Sequence, residues 1–242
     1  MNNELGKAIS ENVLFLLQFL GIAAAMFLIA YAAEKIIKKR TKDRERILAT
    51  RKIAVIGVFS AIAAILHIFD FSLPFIAPEF YKMDLSEIPV LIGAFAYGPV
   101  TGVMIEFCKI LLKLLIKGTT TAFVGDLANF IVGCGYVLPA AVIYAWRKRK
   151  STAVIGCIAG TVSITVFATI LNAVYLIPTF AKMFMGNNIE VIIGMGHAVN
   201  GAIGSVWTLA LYAVAPFNFL KGAVISVVTL LVYKKLSPVL KG

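Results

Sequence analysis

The sequence predicts an all-α integral membrane protein, in which a six-helix core follows one additional N-terminal transmembrane helix. Two observations carry this expectation. The 242 residues are 60% hydrophobic, and the mean hydropathy is +0.93, far more apolar than a soluble domain of this size. The positive charge is also segregated. Nine Lys/Arg lie between Lys35 and Lys52, four at Arg147 to Lys150, and Lys234, Lys235 and Lys241 follow near the end. Basic blocks between apolar runs mark cytoplasmic loops. The expected location is therefore the cell membrane, multi-pass, with the N-terminus outside and both core termini, including the C-terminus, in the cytoplasm. The formal net charge of +11 then reflects topology in a lipid bilayer, with no nucleic acid as partner. Cys108, Cys134 and Cys157 all fall inside apolar runs and read as small buried hydrophobes.

Residues 12–33 are a first apolar run, too long for a signal-peptide core and without a small-residue cleavage site before the charges. Residues 1–36 are read as an extra transmembrane helix, with Phe15, Leu16, Leu20, Phe27 and Leu28 facing lipid. A basic cytoplasmic connector, 37–51, leads into the core domain, 52–242. Residues 52–69 run outward and carry Gly57 with Ala61 and Ser60 with Ala64, each pair four apart. Small residues at that spacing let a second helix approach closely, so these four are candidates for a partner interface or an internal seam. His67 reads as a packed histidine. Residues 70–87 form an aromatic, proline-containing external loop expected to be ordered and extended.

Residues 88–97 are short for a span and end at the turn Gly98-Pro99. They are either a short tilted helix supplemented by the loop or a re-entrant segment. Residues 100–116 carry Glu106, Lys109 and Lys113, and the i,i+3 pair Glu106/Lys109 is expected to neutralise itself within the membrane. Residues 122–146 return inward with Asp126 and Asn129 in the first two turns, where Asp126 also suits the helix dipole. Residues 152–177 run outward with Asn172 near the outer end. Because 152 starts and Lys234 ends on the cytoplasmic side, an even number of crossings lies between them. Residues 189–214 are therefore read as an external re-entrant or interfacial segment. The last span is expected to begin at about Pro216, whose missing N–H suits a first helical turn. From there to Tyr233 is about 27 Å at 1.5 Å per residue, enough to cross.

Asn218 and Lys221, three apart, share one face of that last helix. A lysine inside the membrane costs about 2.5 to 3.5 kcal/mol and opposes the dipole at a helix N-terminus. Something electron-rich must face Lys221 unless it snorkels to the headgroups. Asn129, Asn172 and Asn218, from three helices, are expected at similar depth below the external surface.

Several of these stretches together resemble the riboflavin-specific substrate-binding (S) components of energy-coupling-factor (ECF) vitamin transporters. They are Lys82-Met-Asp-Leu-Ser-Glu-Ile-Pro89, Tyr97-Gly-Pro99 followed by Glu106 and Lys109, Asp126-Leu-Ala-Asn-Phe-Ile-Val-Gly133, Leu171-Asn172 with Pro178, and Pro216-Phe-Asn-Phe-Leu-Lys-Gly222. The likeness covers about residues 51–240. It departs from the family in the first helix, which the family usually lacks, and in a longer segment between Pro178 and Pro216. The resemblance implies a six-helix S-component core that binds its vitamin near the outer face, under the first external loop. It implies a transmembrane coupling subunit and two cytoplasmic ATPase subunits as partners, with reorientation of the whole S component during transport. Riboflavin would be the transported ligand, with no cofactor.

The resemblance further implies that Asn172, Asn218 and Lys221 hold the flavin. An Asn amide both donates and accepts, matching the N–H and carbonyls of the pyrimidinedione edge, and Lys221 would meet the electron-rich N1/O2 side. Phe123, Phe130, Tyr175 and Phe217 are candidates for an apolar slot. Asp126, Asn129 and the backbone from Met83 to Leu85 are candidates for the ribityl hydroxyls, and Lys109 is a further candidate contact. An enzyme is not expected: a P-loop is absent, and Gly118-Thr-Thr-Thr lacks the lysine. Three alternatives stay open. One is another vitamin; the second is FMN, with Lys82, Lys117 or Lys182 meeting its phosphate; the third is a membrane enzyme using Asp126, Glu106 and His197.

Overall fold

The computed structural model describes residues 13–43, 46, 47 and 49–241. Residue 12, where the first apolar run begins, and the side chain of Phe15 lie outside this description. The helices are α1 (Val13–Thr41), α2 (Thr50–Ile68), α3 (Glu87–Tyr97), α4 (Pro99–Lys117), α5 (Val124–Trp146) and α6 (Lys150–Leu171), followed by α7 (Ile177–Phe184), α8 (Ile189–Val199), α9 (Val206–Leu209) and α10 (Ala215–Lys241). Strands β1 (Phe71–Ser72) and β2 (Lys82–Met83) pair antiparallel in the loop between α2 and α3. Five helical stretches are long and apolar enough to cross a membrane. The six core crossings are α2, α3, α4, α5, α6 and α10, with α1 added.

The short helix α3 resolves the alternative left by its length. Eleven residues rise about 16 Å, half a hydrocarbon thickness, yet residues 87–96 are all buried. It crosses inside protein, and the β1–β2 loop completes the passage above it. The α3–α4 corner is local chemistry. Gly98 takes φ +108°, a conformation suited to glycine, and Pro99 starts α4. The donor at Val100 N–H is satisfied from another helix altogether, by Glu34 Oε2 at 2.9 Å.

Both helix boundaries drawn at prolines need correction. The span through Asn172 does not stop before Pro178 but continues to Phe184. The last span begins at Val206 instead of Pro216, so 206–214 is helix and, within 189–214, Ile189–Val199 alone remains a separate helix. The physical reason is the same at both places. A five-residue π segment, Asn172–Leu176 or Ala210–Val214, precedes the dipeptides Ile177-Pro178 and Ala215-Pro216. In each, the residue before proline donates its N–H five residues back, Ile177 to Asn172 O and Ala215 to Ala210 O. The widened turn re-registers the ladder where proline has no N–H to give.

Helix α1 is not merely lipid-facing. Leu20 and Leu28 are exposed, as expected, but Phe19, Ala23 and Ala30 are buried against α4 and α5, where Phe19 meets Phe107 and Phe130 at 6.3 and 5.7 Å. The α2 small-residue face also divides. Ser60 and Ala64 are buried, with Ser60 Oγ reaching Ile105 O at 3.5 Å, whereas Gly57 and Ala61 stay exposed.

The α5–α6–α10 layer is held by backbone approach at glycines. A Cβ on Gly156 would stand 2.7 Å from Ala140 O, and one on Gly160 2.8 Å from Tyr136 O. Lipid supplies little drive for apolar side chains to associate, so close backbone contact carries such seams. Gly156→Val is accordingly expected to lose about 1–3 kcal/mol by forcing α5 and α6 apart, visible as a lower thermal unfolding midpoint in detergent. An unchanged midpoint would contradict this seam.

Candidate functional site

The end of the bundle remote from the basic blocks contains a buried network of charge. Lys221 on α10 reaches Asp84 Oδ2 at 3.0 Å and Glu87 Oε1 at 3.3 Å. Lys109 on α4, fully buried, reaches Glu106 Oε1 at 2.5 Å, Ser86 Oγ at 3.0 Å and Glu87 Oε1 at 3.4 Å. Glu87 thus bridges the two ammonium groups. Asp84 also accepts from Ser86 N–H at 2.9 Å and lies 3.4 Å from His67 Nδ1 at the end of α2. Burial alone would raise the Asp84 carboxyl, but Lys221 first and His67 second outweigh it and hold it well below the usual carboxylate range. The electron-rich partners demanded by Lys221 are therefore carboxylates of the loop and of α3. An ammonium has three N–H donors, so Asp84 and Glu87 leave one for a ligand.

The amides sit beside this network on the two π-containing helices. Asn172 opens the first π segment, donates to Ala168 O at 2.8 Å and accepts from Tyr81 Oη–H at 2.9 Å. Asn218 donates to Val214 O, the last residue of the second π segment, at 2.9 Å. Each amide keeps a second N–H, and Asn218 keeps its Oδ1 as well. Both are 6% exposed and Lys221 is 4% exposed, so a group that reached them would be taken out of water. Gly222 packs on Thr161, which sets Asn218 opposite residue 165, roughly two turns or about 10 Å deeper than Asn172. Gly160 on Tyr136 likewise sets Asn129 opposite residue 167, so Asn129 and Asn218 lie at similar depth and Asn172 lies nearer the loop.

The loop closes over this end. The Tyr81 ring lies 6.0 Å from Phe217 and 4.6 Å from Phe80, which in turn stacks on Phe180 at 6.0 Å. Burial pushes the Tyr81 hydroxyl upward in pKa, keeping it a donor to Asn172. Met83 is buried with Ile177, Ile203 and Phe217, and Leu85 packs on the main core.

Other expected site residues lie elsewhere. Asp126 pairs with Lys113 at 2.7 Å and accepts from Thr119 Oγ1 at 2.9 Å, clasping the α4–α5 loop. Asn129 donates to Gly125 O at 3.0 Å. Phe123 and Phe130 belong to the cluster under α1, and Tyr175 reaches Gln18 on α1 at 3.5 Å, leaving Phe217 as the slot candidate that meets the loop. The residues that sequence reasoning passed over are Asp84, Glu87, His67 and Tyr81. Three lysines within spans, Lys109, Lys113 and Lys221, against two carboxylates there, Glu106 and Asp126, already required a further acid nearby.

The family model described as "ECF transporter, substrate-specific component" matches residues 51–233. The chain is an ECF transporter S component. Its matched region runs from the start of α2 to Tyr233 on α10, leaving α1 outside. A riboflavin transporter, RibU, of Staphylococcus aureus is 33% identical over 195 residues, covering 79% of this chain and 93% of the relative. The riboflavin transporter FmnP of Bacillus subtilis is 29% identical over 192 residues, covering 79% and 94%. A solved S component of a bacterial ECF transporter superposes with a TM-score of 0.60 at 30% identity, covering 79% of this chain and 98% of that one. This S component is a multi-pass membrane protein of a transport system, and its family is not one of enzymes.

Proposed function

We propose that this S component binds riboflavin at the loop-covered end of its bundle and serves its uptake across the cell membrane. The supporting observation is that Asn172, Asn218 and Lys221 are all buried at the end of the bundle where the loop segment reaches Asn172 through Tyr81 and Lys221 through Asp84. Relatives that cover more than nine-tenths of their own length are named riboflavin transporters. The pyrimidinedione edge meets Asn218 and the third N–H of Lys221, the open valences of Asn172, about 10 Å nearer the loop, meet another part of the flavin, and Phe217 and Tyr81 flank the ring system. Asp126, Asn129 and Lys109 act one step back: the first two fix the start of α5, and Lys109 fixes Glu87. Met83 and Leu85 position the loop backbone against the ribityl chain. The basic blocks support an N-terminus outside and a C-terminus in the cytoplasm. A transmembrane coupling subunit with two cytoplasmic ATPases supplies the energy, and the exposed Gly57/Ala61 part of α2 is the helix face offered to it.

The first test is the visible spectrum of the protein purified in detergent from riboflavin-fed cells. Stoichiometric flavin bands are expected; a colourless protein that also fails to bind added riboflavin overturns the reading. Competition between riboflavin and FMN then decides the phosphate question. Asn218→Ala is expected to weaken binding roughly 5- to 150-fold, since an unpaired buried ligand edge costs about 1–3 kcal/mol. Unchanged affinity in a flavin fluorescence titration removes Asn218 from the site.

A further inference from the structure

At the opposite, basic end of the bundle lies a cavity of about 300 Å³ between α1, α2, the α3–α4 corner and the end of α5, within the size range of small-ligand clefts. Its lining includes Glu34, Lys38, Asp43, Lys52, Trp146 and Lys148. Glu34 is 3% exposed, and its two oxygens have different fates. Oε2 accepts from Val100 N–H, while Oε1 is buried with no hydrogen-bond partner. A buried acceptor left unpaired is costly and calls for a donor. Beside it the cations are Lys52, buried and engaged, Lys38, held by Asp43 at 2.9 Å, and the exposed Lys148. Arg40 stands 4.7 Å over the Trp146 ring at the rim, and a tryptophan flanked by basic residues belongs at the membrane–water boundary.

We infer that this cavity is a binding site for the headgroup of an amine-bearing phospholipid, whose ammonium donates to Glu34 Oε1 while its phosphate meets the exposed Lys148. The chemistry excludes neighbouring lipids on stated grounds. A phosphate without an amine leaves Oε1 orphaned and brings a second anion toward Glu34 and Asp43. A trimethylammonium head carries no N–H and cannot donate at all. Basic pockets between helices on this side of a membrane are suited to lipid heads, and the apolar part of the lining, with Ile37 and Ala145, receives the first carbons. The role this gives the added helix is concrete. Through Glu34, α1 both satisfies the start of α4 and completes a lipid site that α2 to α5 alone would leave open.

The test uses the full-length chain in detergent and native mass spectrometry with lipids of matched acyl chains. Phosphatidylethanolamine is expected to bind at least about ten times more tightly than phosphatidylcholine, a difference of about 1.4 kcal/mol. Stepwise N-methylation of the head should weaken binding as N–H donors are lost; this arm needs no variant. Glu34→Gln keeps an oxygen for Val100 N–H but turns a donor toward the cavity, so it should bring the two lipids within about twofold of each other. Lys148→Ala, at an exposed position, should weaken both lipids together. Equal binding of the two lipids to the unaltered chain, or a preference that survives Glu34→Gln, overturns the site. Displacement of the lipid by free phosphoethanolamine at comparable concentration overturns its assignment to a lipid.

Discussion

Lys221→Met is expected to destabilise the folded chain by about 3–5 kcal/mol and to abolish flavin binding. The magnitude follows from removing one partner of a buried ion pair, which leaves the other charge uncompensated. Here the loss reaches two groups, because Lys221 stands 3.0 Å from Asp84 and 3.3 Å from Glu87. It also releases the loop, since Asp84 is its buried anchor beside His67 and Ser86. A pH series gives a second readout with a definite sign. The folded-state pKa of Asp84 is held below its ordinary value, so its share of stability is present above the normal carboxylate range and lost as pH falls through the folded value. In Lys221→Met the largest opposing influence on burial is gone, and this acid limb should shrink. Thermal unfolding in detergent from pH 3 to 7 measures both effects. A variant that unfolds with the unaltered midpoint and acid limb would show that Lys221 is solvated, and the ion-pair geometry would be wrong.

The companion Asp84→Asn separates stability from binding. It leaves Lys221 with Glu87 as its remaining carboxylate, and Asn retains an acceptor for Ser86 N–H, so the loop keeps its turn. If Lys221 contacts the flavin through its third N–H, Asp84→Asn retains measurable affinity where Lys221→Met has none.

The core spans could be read from the sequence because hydropathy and basic blocks are local properties of composition, and each bilayer crossing imposes them independently. The helix ends around Pro178 and Pro216 could not. Proline states that an N–H is missing, but whether the helix stops or widens by one residue depends on whether the turn before it can adopt the i−5 pattern. The same limit applies to the aromatic residues. Phe130, Tyr175 and Phe217 are equivalent as letters on a helix, and the face each occupies was decided by α1, which packs on two of them. Asn172, Asn218 and Lys221 stood out because a polar group in an apolar run is expensive. Asp84 and Glu87 did not, because acids in an external loop are ordinary until the loop is known to fold inward. Charge balance could have found them, since Lys109 and Lys221 together exceed what Glu106 neutralises.

The centre of that balance gives the second large effect. Lys109→Met is expected to cost about 3–5 kcal/mol, because it strands Glu106 inside the bundle, leaves Glu87 with Lys221 alone and removes a donor from Ser86. The site is built for the pair. Gly133 on α5 leaves the space that the Glu106 carboxylate fills, and a Cβ there would collide with Glu106 Oε1. The double variant Glu106→Gln/Lys109→Met should therefore recover a large part of the loss, since neither an unpaired cation nor an unpaired anion remains at that position. A double-mutant cycle on thermal unfolding isolates the coupling, expected at about 1–3 kcal/mol for groups sharing one network. Strict additivity of the two single variants would mean that Glu106 and Lys109 do not neutralise each other, and the buried charge would need another account. Flavin affinity offers a further distinction. Lys109 acts through Glu87, which steadies Lys221, so the double variant should bind flavin more weakly than the unaltered chain even where its stability has been largely restored.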